Sequence, residues 1–234
     1  MVSIAVDIGT TTISTVVVDV SDGSLKASRT IPNGSFIDTG KDWEKVQDPS
    51  RILEQVLGLV DQMFAEYPDI AVVGLTGQMH GILYVDENGR HCSPLYTWQD
   101  GSGNQECFEG RSLCQILTEE YPVQANSGYG MITYLYHCRK GLVPEQAVKV
   151  CTIMDYLGMV LTGRKTPLTH SSSAASLGLY DAENVCFLSE ILEKEGGKAS
   201  MAPEVTNDFE VLGTFRGVPV STVLGDNPAS FLGS

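Results

Sequence analysis

The sequence predicts a mixed α/β fold, a sheet with flanking helices, on three observations. Three strand-like runs joined by tight turns open the chain, a long amphipathic helix and a short buried run follow them, and the later half turns helical. Residues 2–6 alternate weakly and read as a buried strand, 13–20 are rich in β-branched side chains, and Asp22-Gly23 marks a hairpin before a third strand over 25–31. Asp48-Pro49 starts a helix, with the aspartate as N-cap and the proline at the first helical position. Ile52, Val56, Leu57, Val60, Met63 and Phe64 recur at helical spacing until Tyr67-Pro68. Residues 70–75 form a short apolar run, hence a buried strand, and 82–85 and 94–97 flank Glu87-Asn88-Gly89 as a second hairpin. From about Asn104 the pattern is helical, first through Leu113, Ile116 and Leu117, then through Ile132, Leu135 and Tyr136. Tyr156, Leu157, Val160 and Leu161 give a third helix of this group, closed by Thr162-Gly163. Residues 166–176 read as a serine-rich loop, 188–194 as a short helix and 218–224 as a last hydrophobic strand, with no internal repeat.

A chain of 234 residues can bury a sizeable core; it is long for one domain and short for two large ones. Its hydrophobic content of 42% and charged content of 19% fit an ordinary globular protein. Fifteen basic against 29 acidic side chains give a net charge of −14, which removes the basic face a nucleic-acid partner needs and gives no support for anionic lipid. No apolar stretch reaches the roughly 18 residues of a membrane span, and Met1 runs directly into a strand with no cleavable signal. The six cysteines form no CxxC pair and lie mostly beside apolar residues. The expectation is a cytoplasmic protein with reduced thiols, without disulfides or structural zinc.

The chemistry-bearing segments follow strands. Asp7-Ile8-Gly9-Thr10-Thr11-Thr12 succeeds the first strand and Gly225-Asp226-Asn227 the last. Each sets a carboxylate and a glycine past a buried strand, where main-chain N–H groups can meet an anion and the aspartate can hold a metal or take a proton. Thr10, Thr11 and Thr12 add hydroxyl donors suited to phosphate, and neither the GxxxxGK[ST] nor the GxGxxG spacing is present. A plain polar turn is the bland alternative. Gly74-Leu75-Thr76-Gly77-Gln78-Met79-His80-Gly81 leaves another buried strand, and its mixture of polar edges and one apolar surface suits a polyol. A satisfied structural histidine is the competing account, weakened by flanking glycines that are costly in a strand unless something approaches. Tyr96-Thr97-Trp98-Gln99-Asp100 adds an aromatic wall and a carboxylate that would grip hydroxyls at the rim, although Trp98 fits core packing equally well.

DIGTTT, GQMHG, TWQD, Asp155-Tyr156-Leu157 with Leu161-Thr162-Gly163, and GDN stand in this order through the whole chain, and together they resemble the FGGY family of carbohydrate kinases. GQMHG is similar to the xylulokinase and sedoheptulokinase branches, where glycerol kinases carry an Arg-Glu pair. Thr97-Trp98-Gln99-Asp100, Thr152-Ile153-Met154-Asp155-Tyr156 and Ala174-Ala175-Ser176-Leu177-Gly178 lean toward sedoheptulokinase. The resemblance implies an actin-like (RNase H-like) ATPase domain, one of two that enclose an active site. Residues 1–224 would be the N-terminal, sugar-binding domain and 225–234 the opening of the second, whose remainder, with the adenine site, is not among these residues. The chain alone is therefore expected to be inactive. By the resemblance Asp226 is the general base that takes a proton from a ketose hydroxyl, Asp7 orients Mg²⁺, and Gly9, Thr10, Thr11 and Thr12 meet the phosphate of ATP. Gln78, Met79, His80, Asp100 and Asn227 would hold the sugar, with Trp98 as a wall. Pro228, and His170-Ser171-Ser172-Ser173 in place of an Asp- and Asn-containing loop, depart from the family pattern.

The expected partners are a sugar and ATP, with no nucleic acid or membrane, and a second copy of the chain is a candidate. Two readings from other classes stand beside the kinase. One is a non-catalytic sugar-binding or docking module. The other is a different actin-like ATPase, such as a dehydratase activator, which needs cluster-ligating cysteines and gives GQMHG no role.

Overall fold

The computed structural model describes residues 1–233, so Ser234, the end of the expected 225–234 segment, lies outside the described residues. Strands β1 (Val2–Ile8), β2 (Thr12–Asp19) and β3 (Leu25–Pro32) form the expected antiparallel opening, with Gly23 in the left-handed region at φ 71° between β2 and β3. The short strands β4 (Phe36–Ile37) and β5 (Val46–Gln47) lead into helix α1 (Pro49–Glu66). The Asp48 carboxylate caps that helix by accepting the Ser50 and Arg51 amides, a contact worth about 1 kcal/mol. There follow β6 (Ile70–Gly77), β7 (Leu83–Val85), β8 (Leu95–Tyr96), α2 (Leu113–Glu120), α3 (Gly130–Lys140), β9 (Lys149–Cys151), α4 (Ile153–Thr162) and β10 (Leu168–His170). The chain continues through α5 (Ser171–Ser176), β11 (Tyr180–Asp181), β12 (Cys186–Phe187), α6 (Ser189–Lys194), β13 (Glu204–Thr206), β14 (Val211–Phe215), β15 (Val218–Ser221), β16 (Leu224–Gly225) and α7 (Asp226–Leu232).

The main sheet is ordered β14-β15-β6-β1-β2-β3, with β16 also on β6. β1, β15 and β16 run parallel to β6, while β14, β2 and β3 are antiparallel to their neighbours. Ile4, Val6 and Ile8 of β1 and Val73 and Leu75 of β6 share a core with Ile52, Val56, Val60 and Met63 of α1 and Leu157 of α4. Each such side chain contributes about 1.5–3 kcal/mol on burial, so this core holds the parallel strand ends in place. A second core, through Tyr84, Leu117, Ile132, Leu135, Ala174 and Leu192, joins α2, α3, α5 and α6.

Four segments differ from the sequence expectation. Ile82 and Tyr96 do exchange both backbone bonds, at 2.9 and 2.8 Å, but β7 pairs with β9 and β8 with β5. Leu83, Tyr84, Val85 and Leu95 are wholly buried, and such runs gain more from distant partners than from one hairpin. The expected loop 166–176 is strand β10, parallel to β13, followed by α5. Buried Thr169, whose hydroxyl donates to Asp155 Oδ2 at 2.7 Å, and buried Ser173 and Ala174 supply packing that a serine-rich composition hides. The expected strand 218–224 divides into β15 and β16 where Thr222 N–H donates to the Glu210 carbonyl at 2.8 Å. β14, interrupted by Gly213, was not foreseen. Among the described residues no helix is long and apolar enough to cross a membrane, and all six cysteines are free.

Candidate functional site

Three parallel strands end together. Asp7 pairs with Thr76 and Ile8 with Gly77, while on the other side of β6 Leu224 pairs with Thr76 and Gly225 with Gly77. The register thus sets Asp7 and Asp226, from the two ends of the chain, on either side of the β6 terminus. The carboxyl ends of parallel strands are where open α/β sheets bind ligands. Partial desolvation of the carboxyl at the sheet edge raises the Asp7 pKa from its ordinary value although the residue as a whole is exposed, and the like charge of Asp226 raises it further. Two carboxylates at one strand end are a fitting pair of donors for a divalent cation, whose charge would offset the repulsion that Asp7 meets there.

The turn after β1 is held from the protein side. Asn33 donates through Nδ2 to the Gly9 carbonyl and through its backbone N–H to the Thr11 carbonyl, both at 2.8 Å, and Gln47 Nε2 donates to the Thr10 carbonyl at 2.9 Å. Thr11 and Thr12 remain exposed. The Thr10 hydroxyl accepts from Trp98 Nε1–H at 3.0 Å and donates to Gln78 Oε1 at 3.4 Å.

Beyond β6, Met79 is buried over Gly225, where an added Cβ would lie 2.5 Å from both Cγ and Sδ of the methionine. His80 takes the left-handed conformation at φ 71°, unusual without glycine. Its backbone N–H donates to Ser176 Oγ at 3.3 Å and its Nδ1 to the Ser176 carbonyl at 2.7 Å. A carbonyl only accepts, so Nδ1 carries a proton, and in the neutral imidazole Nε2 is then the acceptor. The imidazole stacks on Tyr129, with ring centroids 5.0 Å apart. Gly128, at φ 85°, lies so close to the Trp98 carbonyl that a Cβ there would overlap it. Trp98 itself is 47% exposed. Asn227 is exposed, its N–H donating to Asp226 Oδ1 at 2.7 Å.

The structure therefore brings Asp7, Gly9, Thr10, Met79, His80, Trp98, Asp226 and Asn227 into one continuous neighbourhood. Two expected sugar contacts are placed differently. Asp100 is 1% exposed, its Oδ1 accepting the Ser102 amide at 3.0 Å and its Oδ2 unpaired. It thus stands beneath the rim and not on it, and its burial raises its pKa against the lowering effect of the Ser102 hydrogen bonds. Gln78 is 3% exposed, its amide engaged by Thr10 and by Gln47 at 2.9 Å. The sequence reading missed Asn33, Gln47, Tyr129 and Ser176. Tyr129 carried a signal, an aromatic between Gly128 and Gly130, and Ser176 stood within the Ala174–Gly178 motif without a site role.

The fold is the actin-like α/β domain, with a mixed sheet whose parallel strands β1, β6 and β16 end side by side. The chain matches the family described as FGGY family of carbohydrate kinases, N-terminal domain, over residues 2–233, and belongs to it. It is 25% identical over 209 residues to the sedoheptulokinase of Mus musculus, covering 79% of this chain and 43% of that protein. Likewise it is 26% identical over 245 residues to the xylulose kinase of Streptomyces rubiginosus, covering 98% of this chain and 49% of that protein. A similarity of 26% over 252 residues extends to the glycerol kinase of Brucella ovis, covering 99% of this chain and 49% of that protein. Among solved structures, a ligand-bound xylulose kinase from Lactobacillus acidophilus superposes with a TM-score of 0.84 at 21% identity, over 99% of this chain and 49% of that one. Plasmodium falciparum glycerol kinase with ADP gives 0.83 at 15% identity, over 99% of this chain and 50% of that one. The chain spans about half the length of the curated relatives it matches.

Proposed function

We propose that this chain is the sugar-binding half of an ATP-dependent carbohydrate kinase acting on a ketose of the xylulose or sedoheptulose kind. The observation that carries the reading is the meeting of Asp7 and Asp226 at the end of β6, beside the held turn of Gly9, Thr10, Thr11 and Thr12. Phosphoryl transfer demands mainly positioning and charge neutralisation, and this edge supplies a carboxylate pair next to candidate phosphate donors. Asp226 would take the proton of the attacking hydroxyl, Asp7 would hold Mg²⁺, and the turn would receive the transferring phosphate. Mg²⁺, when bound, neutralises the charge that develops on that phosphate. Met79 offers the sugar an apolar face, His80 an acceptor at Nε2, Asn227 an amide and Trp98 a flat wall. Asp100 and Gln78 support this rim from beneath. The sugar-binding domain extends past the expected boundary at 224 to take in Asp226 and Asn227, because β16 pairs with β6 of the same sheet and the family's N-terminal domain matches to residue 233, and a second domain contributes the rest of the nucleotide site.

The test is ligand-observed and protein-observed NMR on the 234-residue chain with D-xylulose, sedoheptulose and glycerol. A ketose is expected to shift the Trp98 indole and His80 ring signals in a saturable way, more strongly than glycerol. If no sugar perturbs either residue, the assignment fails. Coupled ADP release by this chain is expected at background, and turnover in the ordinary kinase range of about 1–100 s⁻¹ would refute the need for a second domain.

A further inference from the structure

We propose that Gln47 and Gln78 are positioning residues in a hydrogen-bond network, a closed ring of Thr10, Gln78 and Gln47 that Trp98 enters as a donor, tying the wall of the sugar site to the phosphate turn. The network runs from Trp98 Nε1–H to Thr10 Oγ1 at 3.0 Å, from the Thr10 hydroxyl to Gln78 Oε1 at 3.4 Å, from Gln78 Nε2 to Gln47 Oε1 at 2.9 Å, and from Gln47 Nε2 to the Thr10 carbonyl at 2.9 Å. Its direction is fixed at the Thr10 carbonyl, which can only accept, so Gln47 must present Nε2 there and Oε1 to Gln78, and Gln78 in turn presents Oε1 to the Thr10 hydroxyl. Flipping Gln47 would set acceptor against acceptor at Thr10 and donor against donor at Gln78, and flipping Gln78 would set its Oε1 against the Gln47 Oε1. Gln47 is fully buried and Gln78 nearly so, which removes water as an alternative partner for the bond between them and strengthens it.

The network joins four separate parts of the chain: the turn after β1, strand β5, the end of β6 and the turn after β8. Thr10 belongs to it twice, through its hydroxyl and through its carbonyl. Trp98 is its one exposed member, so whatever rests on the indole face bears on Thr10. Gln78 thereby acts on the site through Thr10, not by touching the sugar. In a kinase this arrangement would let a seated sugar set the phosphate turn before the nucleotide reacts, a consequence that rests on the function proposed above.

The ring can be tested without sugar, by NMR exchange of the indole N–H groups in the 234-residue chain, where Trp43 is the only other tryptophan and serves as internal control. Gln47→Glu keeps the acceptor for Gln78 and loses the donor to Thr10. It is expected to speed solvent exchange at the Trp98 indole by about tenfold, the equivalent of one hydrogen bond, and to leave Trp43 within twofold. Trp98→Phe, at an exposed site, is expected to shift the side-chain amide signals of both Gln47 and Gln78. Unchanged Trp98 exchange in the first variant, or unshifted amides in the second, would overturn the proposal. A sugar arm separates the two readings. D-xylulose should move the Trp98 indole and the Thr10, Thr11 and Thr12 amides together in the wild type, and the Trp98 indole alone in Gln47→Ala. Threonine amides that respond equally in both proteins refute the coupling. Silence toward every sugar refutes the kinase reading, while the exchange arm still decides the ring.

Discussion

Asp155 should make the fold lose stability as the pH rises, and its removal should cancel that loss. The carboxylate is buried in α4, with Oδ2 accepting from the Thr152 hydroxyl at 2.7 Å, the Thr169 hydroxyl at 2.7 Å and the Thr152 amide at 3.2 Å, while buried Oδ1 has no partner. Desolvation outweighs those donors and pushes its pKa up to about 6 from an ordinary 3.8. The folded state therefore holds this proton where the unfolded chain has released it, so stability falls between pH about 4 and 6 and levels off above. A shift of roughly two units corresponds to about 3 kcal/mol in full, of which roughly 1.4 kcal/mol lies between pH 5 and 7.5. Urea unfolding of the wild type and Asp155→Asn at those two pH values isolates the term, because all other groups cancel in the difference. The variant should gain about 1.4 kcal/mol relative to the wild type on going to pH 7.5, whatever its absolute stability. Parallel profiles, differing by less than about 0.4 kcal/mol, would show that Asp155 is not ionising within the folded core. The contact matters to the site because Thr169 lies in β10, which leads through α5 to the Ser176 that holds His80.

Three further outcomes follow from the same geometry. Asp226→Asn should lower the Asp7 pKa and stabilise the domain above the carboxylate range, since Asp7 loses the like charge that opposes its ionisation; an unmoved Asp7 titration by carbonyl-detected NMR would mean that the two carboxylates do not face each other. His80→Ala should weaken ketose binding roughly ten- to hundredfold by calorimetry, the cost of leaving a sugar hydroxyl without its partner, and unchanged affinity would remove His80 from the site. Gly128→Ala combines a left-handed φ with a Cβ that overlaps the Trp98 carbonyl. It should destabilise by about 2–5 kcal/mol in urea, and a cost under about 1 kcal/mol would show that the Trp98 turn yields freely.

What the sequence disclosed were features whose physics is local. Asp22-Gly23 and Asp48-Pro49 fix a turn and a helix start with groups only a few residues apart, and the period of Ile52, Val56, Val60 and Met63 needs no knowledge of what it packs against. The GQMHG and GDN segments were legible because glycines beside strands mark close approach. What stayed hidden depends on partners far along the chain. Nothing near Gln47 announces that its amide reaches Thr10 and Gln78, and nothing in a serine-rich run tells that Thr169 meets Asp155 or that Ser176 meets His80. Asp100 shows the same limit in another form. Its residue type suited a rim, but the orientation of one turn decided whether the carboxylate met solvent or the Ser102 amide.

The placement of charge gives the strongest physical ground for reading this edge as a site. A fold selected for stability alone would separate Asp7 from Asp226 or give each a cation, yet no salt bridge to either is found among the described residues. The surrounding groups instead hold the pair in place: β6 sets the spacing from both sides, Met79 fills the gap above Gly225, and the ring through Gln47 fixes the adjoining turn. His80 is kept in a strained backbone conformation in the same neighbourhood by two bonds to Ser176. Local strain and like-charge repulsion persist only where the surroundings over-determine them, and they gather where a ligand supplies the missing compensation. A divalent cation would bring opposite charge to the carboxylates, and a polyol would bring a donor to His80 Nε2, so the ligands of a sugar kinase carry what both places lack.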